Sequence, residues 1–393
     1  MTLRTLQDLE LNAKRVLLRA DFNVPLRDGV IKDDSRIQAT LPTLRYVLEH
    51  GASIIAMSHL GRPKGVDASA RLAPVAARLS ELLGQEVRYQ QADGPAAEGV
   101  ADFVAAAPAG SLTLLENLRF DPRETKNAPE LCQALASYAD VYVNDAFGAA
   151  HRAHASTEGV AKLLPSAAGL LLEREVRVLS KLLESPEKPF KVILGGAKVS
   201  DKIGVIRNLL EVVDEILIGG AMSYTFSKAL GGSIGKSLVE NEHLQEASSI
   251  LQAAKAKGVT LHLPSDSTCA TAIEAGVEAR VFPADDVPAD YMGLDIGPDT
   301  LEHYQHILKD AKTVLWNGPL GVFEISPFDT GTRAIAQTVA ALDAYTVIGG
   351  GDSVSAVNAT GLADKISHIS TGGGASLELL EGKTLPGVAA LTS

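Results

Sequence analysis

The chain has 393 residues, 48 acidic against 36 basic side chains, a formal charge of -12, and 46% hydrophobic residues. That length and apolar content suit about two to three domains with full cores and exclude a disordered chain. The acidic balance excludes the basic field that nonspecific nucleic-acid or membrane-surface binding requires, while leaving room for small anionic ligands wherever cations gather locally.

The N-terminal stretch MTLRTLQDLELNAKR carries acids and lacks an apolar h-region, and no apolar run approaches the roughly 20 residues of a membrane span. The two cysteines, Cys132 and Cys269, lie far apart with neither CxxC nor Cys/His spacing, which disfavours a disulfide framework and a structural zinc site. A soluble, reducing, cytoplasmic setting is expected.

In the first half, continuous apolar runs at Val16 to Leu18, Ile54 to Met57, Leu112 to Leu115 and Val141 to Val143 each lead into a polar loop and then a helical segment. Unalternating strands separated by helices predict a parallel sheet covered on both faces, with ligands beyond the strands' carboxyl ends. The loops at those ends carry Arg19, Asp21 and Asn23, then His59 and Arg62, then Arg119, then Asn144, Asp145, His151, Arg152 and His154, with Arg36 just past the first loop. One surface arginine is unremarkable, but guanidinium and imidazole groups after strand upon strand predict an anion site, since guanidinium matches phosphate or carboxylate with two parallel hydrogen bonds. Asp21 and Asn23 suit a ligand hydroxyl or the orientation of an arginine. His59, His151 and His154 match no HExxH spacing, so zinc ligation there is disfavoured.

Between Pro165 and Pro189 the sequence reads as a long helix. Leu172, Val176, Leu179 and Leu183 form a stripe widened by Leu171, Val178 and Leu182, with Ser166 as the expected N-cap and Pro186 and Pro189 as breakers. Strand-like runs before it end in Arg, His, Asp and Asn, and runs after it end in glycine pairs and triplets. It is therefore expected to be a spine joining two lobes of different chemistry.

Six further apolar runs follow: KVILGGAKVSDKI, EILIGGAMSYTF, VTLHLPSDS, TVLWNGPLGVFE, YTVIGGGDSVSAV and HISTGGGASLELL. Glycine after a strand lets backbone approach a ligand, and a helix N-terminus presents free amides to phosphate. Gly349 to Gly351 and Gly372 to Gly374 each precede a helical stretch, which points to a polyphosphate. GGSIGKS lacks the first glycine of a Walker A loop because Leu230 stands there, and neither GGGDSV nor TGGGASL completes GxGxxG. Lys198 and Lys202 would share a face on a helical turn. Asp352 is the candidate magnesium ligand, and Glu324 a candidate ribose acceptor. With no GxSxG elbow and no Cys–His pair, covalent catalysis has no visible agent.

LLRADFNVP, SHLGRP, ENLRF, NDAFGAAHRAH, LGGAKVSDK, WNGPLGVFE, GGGDS and ISTGGGASLELLEGKTLPG resemble, in order, the motifs of the phosphoglycerate kinases, from end to end of the chain. The resemblance implies two doubly wound α/β lobes joined by a long interdomain helix, with a C-terminal tail that returns to the first lobe. Residues 1–170 with 380–393 would form the phosphoglycerate lobe, and 171–379 the helix and the nucleotide lobe. It implies Asp21, Asn23, Arg36, His59, Arg62, Arg119 and Arg152 around 3-phosphoglycerate or 1,3-bisphosphoglycerate. Lys202, Gly219, Gly220, Asn317, Glu324, Gly350, Gly351, Asp352 and Ser353 would hold ADP or ATP, with Asp352 toward Mg2+. Arg36, Lys198 and the amides of Gly372, Gly373 and Gly374 would surround the phosphoryl group in flight.

The implied reaction is reversible phosphoryl transfer, in line and after hinge closure, by a monomeric enzyme. Two stretches, PSDSTCA at 264–270 and MGLDIGPDT at 292–300, depart from the family's commonest wording. A nicotinamide dehydrogenase, disfavoured by the missing GxGxxG, and a non-catalytic two-lobed anion binder remain the alternatives.

Overall fold

The computed structural model describes residues 2–393. Its internal contacts divide the chain into two compact units. One runs up to Arg177 and includes Thr384–Ser393; the other is Val178–Lys383.

In the first unit β1 (Arg15–Arg19), β2 (Ser53–Met57), β3 (Val87–Tyr89), β4 (Leu112–Leu114), β5 (Val141–Asn144) and β6 (Ser166–Ala168) form one parallel sheet in the order β3-β4-β2-β1-β5-β6. The apolar runs do not alternate because both faces of these strands are covered: Val16, Leu17 and Leu18 are all fully buried, as are Ile54, Ile55 and Ala56. The register sets Arg19 beside Met57 and Asn144, so the loops carrying Asp21, His59 and Asp145 leave the sheet at one edge. Helix α1 (Ser35–Glu49) brings Arg36, in its first turn, toward that same edge, where it meets Asp21.

The helix expected from Pro165 begins later than predicted. Ser166–Ala168 is the edge strand β6, parallel to β5, and Ser166 Oγ accepts a hydrogen bond from Arg4 at 2.9 Å, so it is no cap. Helix α2 spans Leu170–Glu184. Its first amides are satisfied from elsewhere: Asp145 Oδ1 accepts from Leu171 N–H at 2.9 Å and Leu172 N–H at 3.3 Å, and Thr43 Oγ1 from Leu170 N–H at 3.0 Å. Gly169 permits this approach, because a side chain there would run into the Asp145 carboxylate. The buried face of α2 comprises Leu172, Glu175, Val178, Leu179 and Leu182, turned from the expected stripe, with Val176 and Leu183 only half-buried.

The second unit repeats the architecture. Strands β7 (Phe190–Leu194), β8 (Glu215–Ile218), β9 (Thr260–His262), β10 (Thr313–Asn317), β11 (Tyr345–Gly349) and β12 (His368–Ile369) form a parallel sheet in the order β9-β8-β7-β10-β11-β12. Asn317 pairs with both Leu194 and Gly349, which places the loops at 195–202, 318–324 and 350–353 at one edge. Helices α3 (Ile203–Leu209), α4 (Met222–Ala229), α5 (Gly351–Thr360) and α6 (Gly374–Leu380) leave from this edge. The two stretches of unusual wording become partners: Asp266–Ala270 pairs antiparallel with Met292–Ile296 and with Arg280–Pro283. No helix among the described residues is long and apolar enough to cross a membrane.

Candidate functional site

At the edge of the first sheet the cationic side chains are held by a buried polar frame. Arg19 is 1% exposed at the end of β1; its Nε donates to Ser156 Oγ at 2.9 Å, one terminal nitrogen to Ala20 O, and the other contacts His59 Nδ1 at 3.1 Å. Arg36 pairs with Asp21 at 2.5 Å. Asn23 Oδ1 accepts from Gly61 N–H at 2.8 Å and so positions the loop that carries His59 and Arg62. Asp21 and Asn23 therefore orient neighbours, the one a guanidinium and the other a loop amide. A shallow cavity of about 390 Å³ beside them is lined by Asn23, Gly61, Arg62 and Ser69, among others.

Arg119 is the least satisfied of these cations, because its Nε–H is buried without a hydrogen-bond partner. Burial, opposed by Glu124 and reinforced by Arg19, Arg152 and Arg62, pulls its affinity for a proton below the ordinary guanidinium value. Like charges that lower one another in this way are an unmet demand for an anion. His59 is driven down to about 3, first by burial and then by Arg19, with Asp21 opposing and Arg119 and Arg36 adding to the fall. It stays neutral and is not one of the cations. His154 falls to about 4 for the same reasons, burial first and then Arg119, Arg19 and Arg152. Arg62 and Arg152 are exposed, while Asp21 is buried.

The sequence counts Arg19 among the cations of the anion site, whereas its guanidinium is buried and spent on Ser156, Ala20 and His59; nothing in the sequence singles out Glu124 or Ser156. No local signal marks these two: they lie 32 residues apart and meet through a hydrogen bond of 2.6 Å.

In the second unit, Gly195, Gly196, Lys198, Lys202, Asn317, Gly350–Ser353, Gly373 and Gly374 line a polar cavity of about 680 Å³. Lys198 and Lys202 do not lie on a helical turn, because α3 starts only at Ile203. Lys198 is exposed in the cavity wall, whereas Lys202 is buried and donates to Asn317 Oδ1. Burial lowers Lys202 to about 8 against the pull of Asp201, Asp352 and Glu381. Asn317 Nδ2 is buried without a partner, a spare donor in the wall of the cavity.

Helix α5 begins at Gly351 behind Gly350, which has φ +93°, and has no side-chain cap, so its first amides are free to bind. Ser353 Oγ accepts from Gly318 N–H at 2.6 Å and braces the facing loop. Of the last triplet, Gly372 N–H donates to Ser370 Oγ at 3.2 Å, leaving Gly373 and Gly374 to face the cavity.

An adjoining, mainly apolar cavity of about 440 Å³ is lined by Gly220, Leu238, Ile273, Leu294, Val322 and Glu324, among others, and also by Asp352. The strand Met292–Ile296 supplies part of its wall, so the atypical stretch MGLDIGPDT contributes to the site directly. Gly219 lines neither cavity: its N–H donates to Leu194 O at 2.8 Å, and a side chain there would strike Leu320. Gly220 has φ +66°, and a side chain there would sit 2.6 Å from the Gly196 backbone. These two glycines let loops pack on each other, whereas Gly351 and Gly373 have open space where a side chain would be. Asp352, exposed beside the free amides of α5, has the donor chemistry that Mg2+ takes when phosphate oxygens complete its shell.

A family model described as phosphoglycerate kinase matches residues 6–383. Over 390 residues the chain is 56% identical to the phosphoglycerate kinase of Thermus thermophilus, covering 99% of this chain and 100% of that protein. It is 57% identical over 390 residues to that of Moorella thermoacetica, covering 99% and 98%. Among solved structures, phosphoglycerate kinase from Coxiella burnetii superposes with a TM-score of 0.90 at 42% identity over 99% of both chains. Two units built on six-stranded parallel sheets, and relatives of more than half identity along the whole chain, place it in one family: the chain belongs to the phosphoglycerate kinases.

Proposed function

We propose that the cationic edge of the first unit binds 3-phosphoglycerate or 1,3-bisphosphoglycerate and that the two adjoining cavities of the second unit bind ADP or ATP. The enzyme's reaction is that of its family, reversible phosphoryl transfer from 1,3-bisphosphoglycerate to ADP, giving 3-phosphoglycerate and ATP in glycolysis and gluconeogenesis. The observation that carries the assignment of the first site is Arg119, a buried donor without an acceptor among three further guanidinium groups. Arg36, Arg62 and Arg152 complete the anion site, with Asp21, Asn23 and His59 contacting the glycerate hydroxyl and carboxylate.

In the second unit the free amides of Gly351 to Ser353 and the ammonium of Lys202 hold the polyphosphate. Asn317 Nδ2 donates to it, Glu324 accepts from the ribose, and the apolar cavity takes the base. Asp352 would hold Mg2+, which supplies charge neutralisation on the phosphates when bound.

An acyl phosphate is already an activated donor, so the protein has to align two oxygens and stabilise charge on the moving group. Arg36, Lys198 and the amides of Gly373 and Gly374 do this electrostatically, with no covalent intermediate. Transfer is direct and in line, and follows a hinge closure that brings the ligands together and excludes water. The enzyme acts as a cytoplasmic monomer.

A coupled assay of ATP consumption with 3-phosphoglycerate tests the reaction, and calorimetry tests the sites. Arg62→Ala and Arg152→Ala should each weaken 3-phosphoglycerate binding by about 1 to 3 kcal/mol, the scale of a hydrogen bond to a charged group, and leave ADP affinity alone. If neither changes it, the cationic edge is not the site.

The pH dependence of ADP binding tests Lys202. Its value of about 8 lies below the unfolded lysine value, so in the empty protein the ammonium loses its proton as pH rises through about 8. Binding a polyphosphate favours the charged form, so ADP affinity should fall as pH rises past that value, with proton uptake on binding. Lys202→Met should bind ADP more weakly and flatten this dependence; an identical slope in the variant would remove Lys202 from the phosphate site.

A further inference from the structure

The frame beneath the cationic edge of the first unit has a direction. Ser156 Oγ carries one proton and gives it to Glu124 Oε1 at 2.6 Å, while Glu124 Oε2 accepts the Ser156 N–H at 3.0 Å. The hydroxyl oxygen is therefore turned to accept from Arg19 Nε at 2.9 Å. With a further guanidinium nitrogen committed to Ala20 O, the remaining terminal nitrogen is aimed at His59 Nδ1, 3.1 Å away. Glu124 and Ser156 are completely buried and Arg19 is 1% exposed, so water is kept from the Glu124–Ser156–Arg19 bonds, while the contact with the half-buried His59 lies at the edge of the frame.

A guanidinium has five donors and no acceptor. At this distance His59 Nδ1 must present a lone pair, because a protonated Nδ1 would set N–H against N–H. The ring proton then resides on Nε2. Full protonation is opposed by the charged groups around the ring: Arg19 from β1, Arg36 from α1 and Arg119 beyond β4 outnumber the single carboxylate of Asp21.

We propose that Glu124, Ser156 and Arg19 are positioning residues that hold His59 as its Nε2–H tautomer, so that the imidazole meets the phosphoglycerate as a hydrogen-bond donor of fixed direction and not as a cation. The inference rests on the placement of phosphoglycerate at this edge. It divides the labour there: the arginines supply the charge, and His59 supplies an oriented neutral donor whose state does not change across the physiological pH range.

The test is nitrogen-15 NMR of the full chain labelled at histidine, with His59 assigned by comparison with His59→Gln. From about pH 8 to about pH 5.5, where an ordinary histidine titrates, the long-range spectrum should show an unprotonated Nδ1 and a protonated Nε2 for His59 throughout. Ser156→Ala removes the acceptor that aims Arg19. It should mix the two tautomers and raise the KM for 3-phosphoglycerate several-fold, with the KM for ATP unchanged. An Nδ1–H signature, or titration to imidazolium within that range, overturns the proposal in the wild-type protein without recourse to any variant. A Ser156→Ala protein with the wild-type His59 spectrum and KM overturns the relay. Adding 3-phosphoglycerate should shift the Nε2 resonance. If the tautomer is as stated but this resonance does not respond, the relay stands and the placement of the substrate at His59 falls.

Discussion

Lys198→Ala and Arg36→Ala are each expected to lower kcat by about 10³- to 10⁵-fold, or about 4 to 7 kcal/mol, the range measured for cations that meet a phosphoryl group in transit. Affinity for the ground-state ligands should change far less, within about threefold for ADP in Lys198→Ala, the scale of an exposed charge. Lys198 is exposed in the polar cavity wall with no hydrogen bond among the described residues, while its neighbour Lys202 is buried against Asn317. Under the proposed assignment the two lysines divide into one group free to follow a moving charge and one fixed in the ground-state site.

Arg36 is paired with Asp21 at 2.5 Å, so its removal also leaves a buried carboxylate unpaired. Arg36→Lys is the control: it keeps the charge and loses the forked geometry, so partial recovery of kcat separates electrostatics from alignment. Separate measurement of kcat and of both ligand affinities decides the matter. A large rise in KM with kcat within a factor of about ten of wild type, well short of that range, would return both residues to simple binding.

The second large effect is on stability. Gly220→Ala is expected to destabilise the second unit by about 2 to 6 kcal/mol, adding the cost of a left-handed backbone for a residue with a side chain to that of overpacking. The residue has φ +66°, and its new methyl group would lie 2.6 Å from the nitrogen and oxygen of Gly196 and 2.8 Å from Pro319 O, all backbone atoms that no rotamer change can move. Gly351→Ala is the matched opposite, with a negative φ and nothing within 4 Å of the added methyl. Its stability should change by less than about 1 kcal/mol, as for a glycine replaced at a compatible helical position, while ADP affinity falls because the methyl enters the space the phosphates need. The single tryptophan, Trp316, lies buried in the second unit and reports its urea transition by fluorescence. Equal midpoints for the two variants would abolish the distinction between glycines that pack loops and glycines that admit a ligand.

Much of this protein is written locally in its chain. Strands such as Val16 to Leu18 and Val347 to Ile348 are legible as apolar runs because both faces of a parallel sheet are covered, and the glycine and arginine loops are legible because they follow those runs at once. The eight motifs, in their order along the chain, are by themselves a signature of the family.

What the sequence left open depends on residues that are distant along the chain. Ser166 was expected to cap a helix. It lies instead in an edge strand, because its small neighbours Ala167 and Ala168 fit beside β5, and the capping carboxylate comes from Asp145, 26 residues before Leu171. The difference between Lys198 and Lys202 arises from burial behind Asn317, which no spacing of four residues encodes. The apolar cavity needs the antiparallel strand Met292–Ile296 brought against the loops at 220 and 322. The frame of Glu124, Ser156, Arg19 and His59 joins four segments through single hydrogen bonds. Periodicity and propensity report on a residue's immediate neighbours, so the chain by itself determined the strands, the loops and the kind of chemistry. Burial and pairing across the fold decided which groups are charged, which are braced, and which stand free to act.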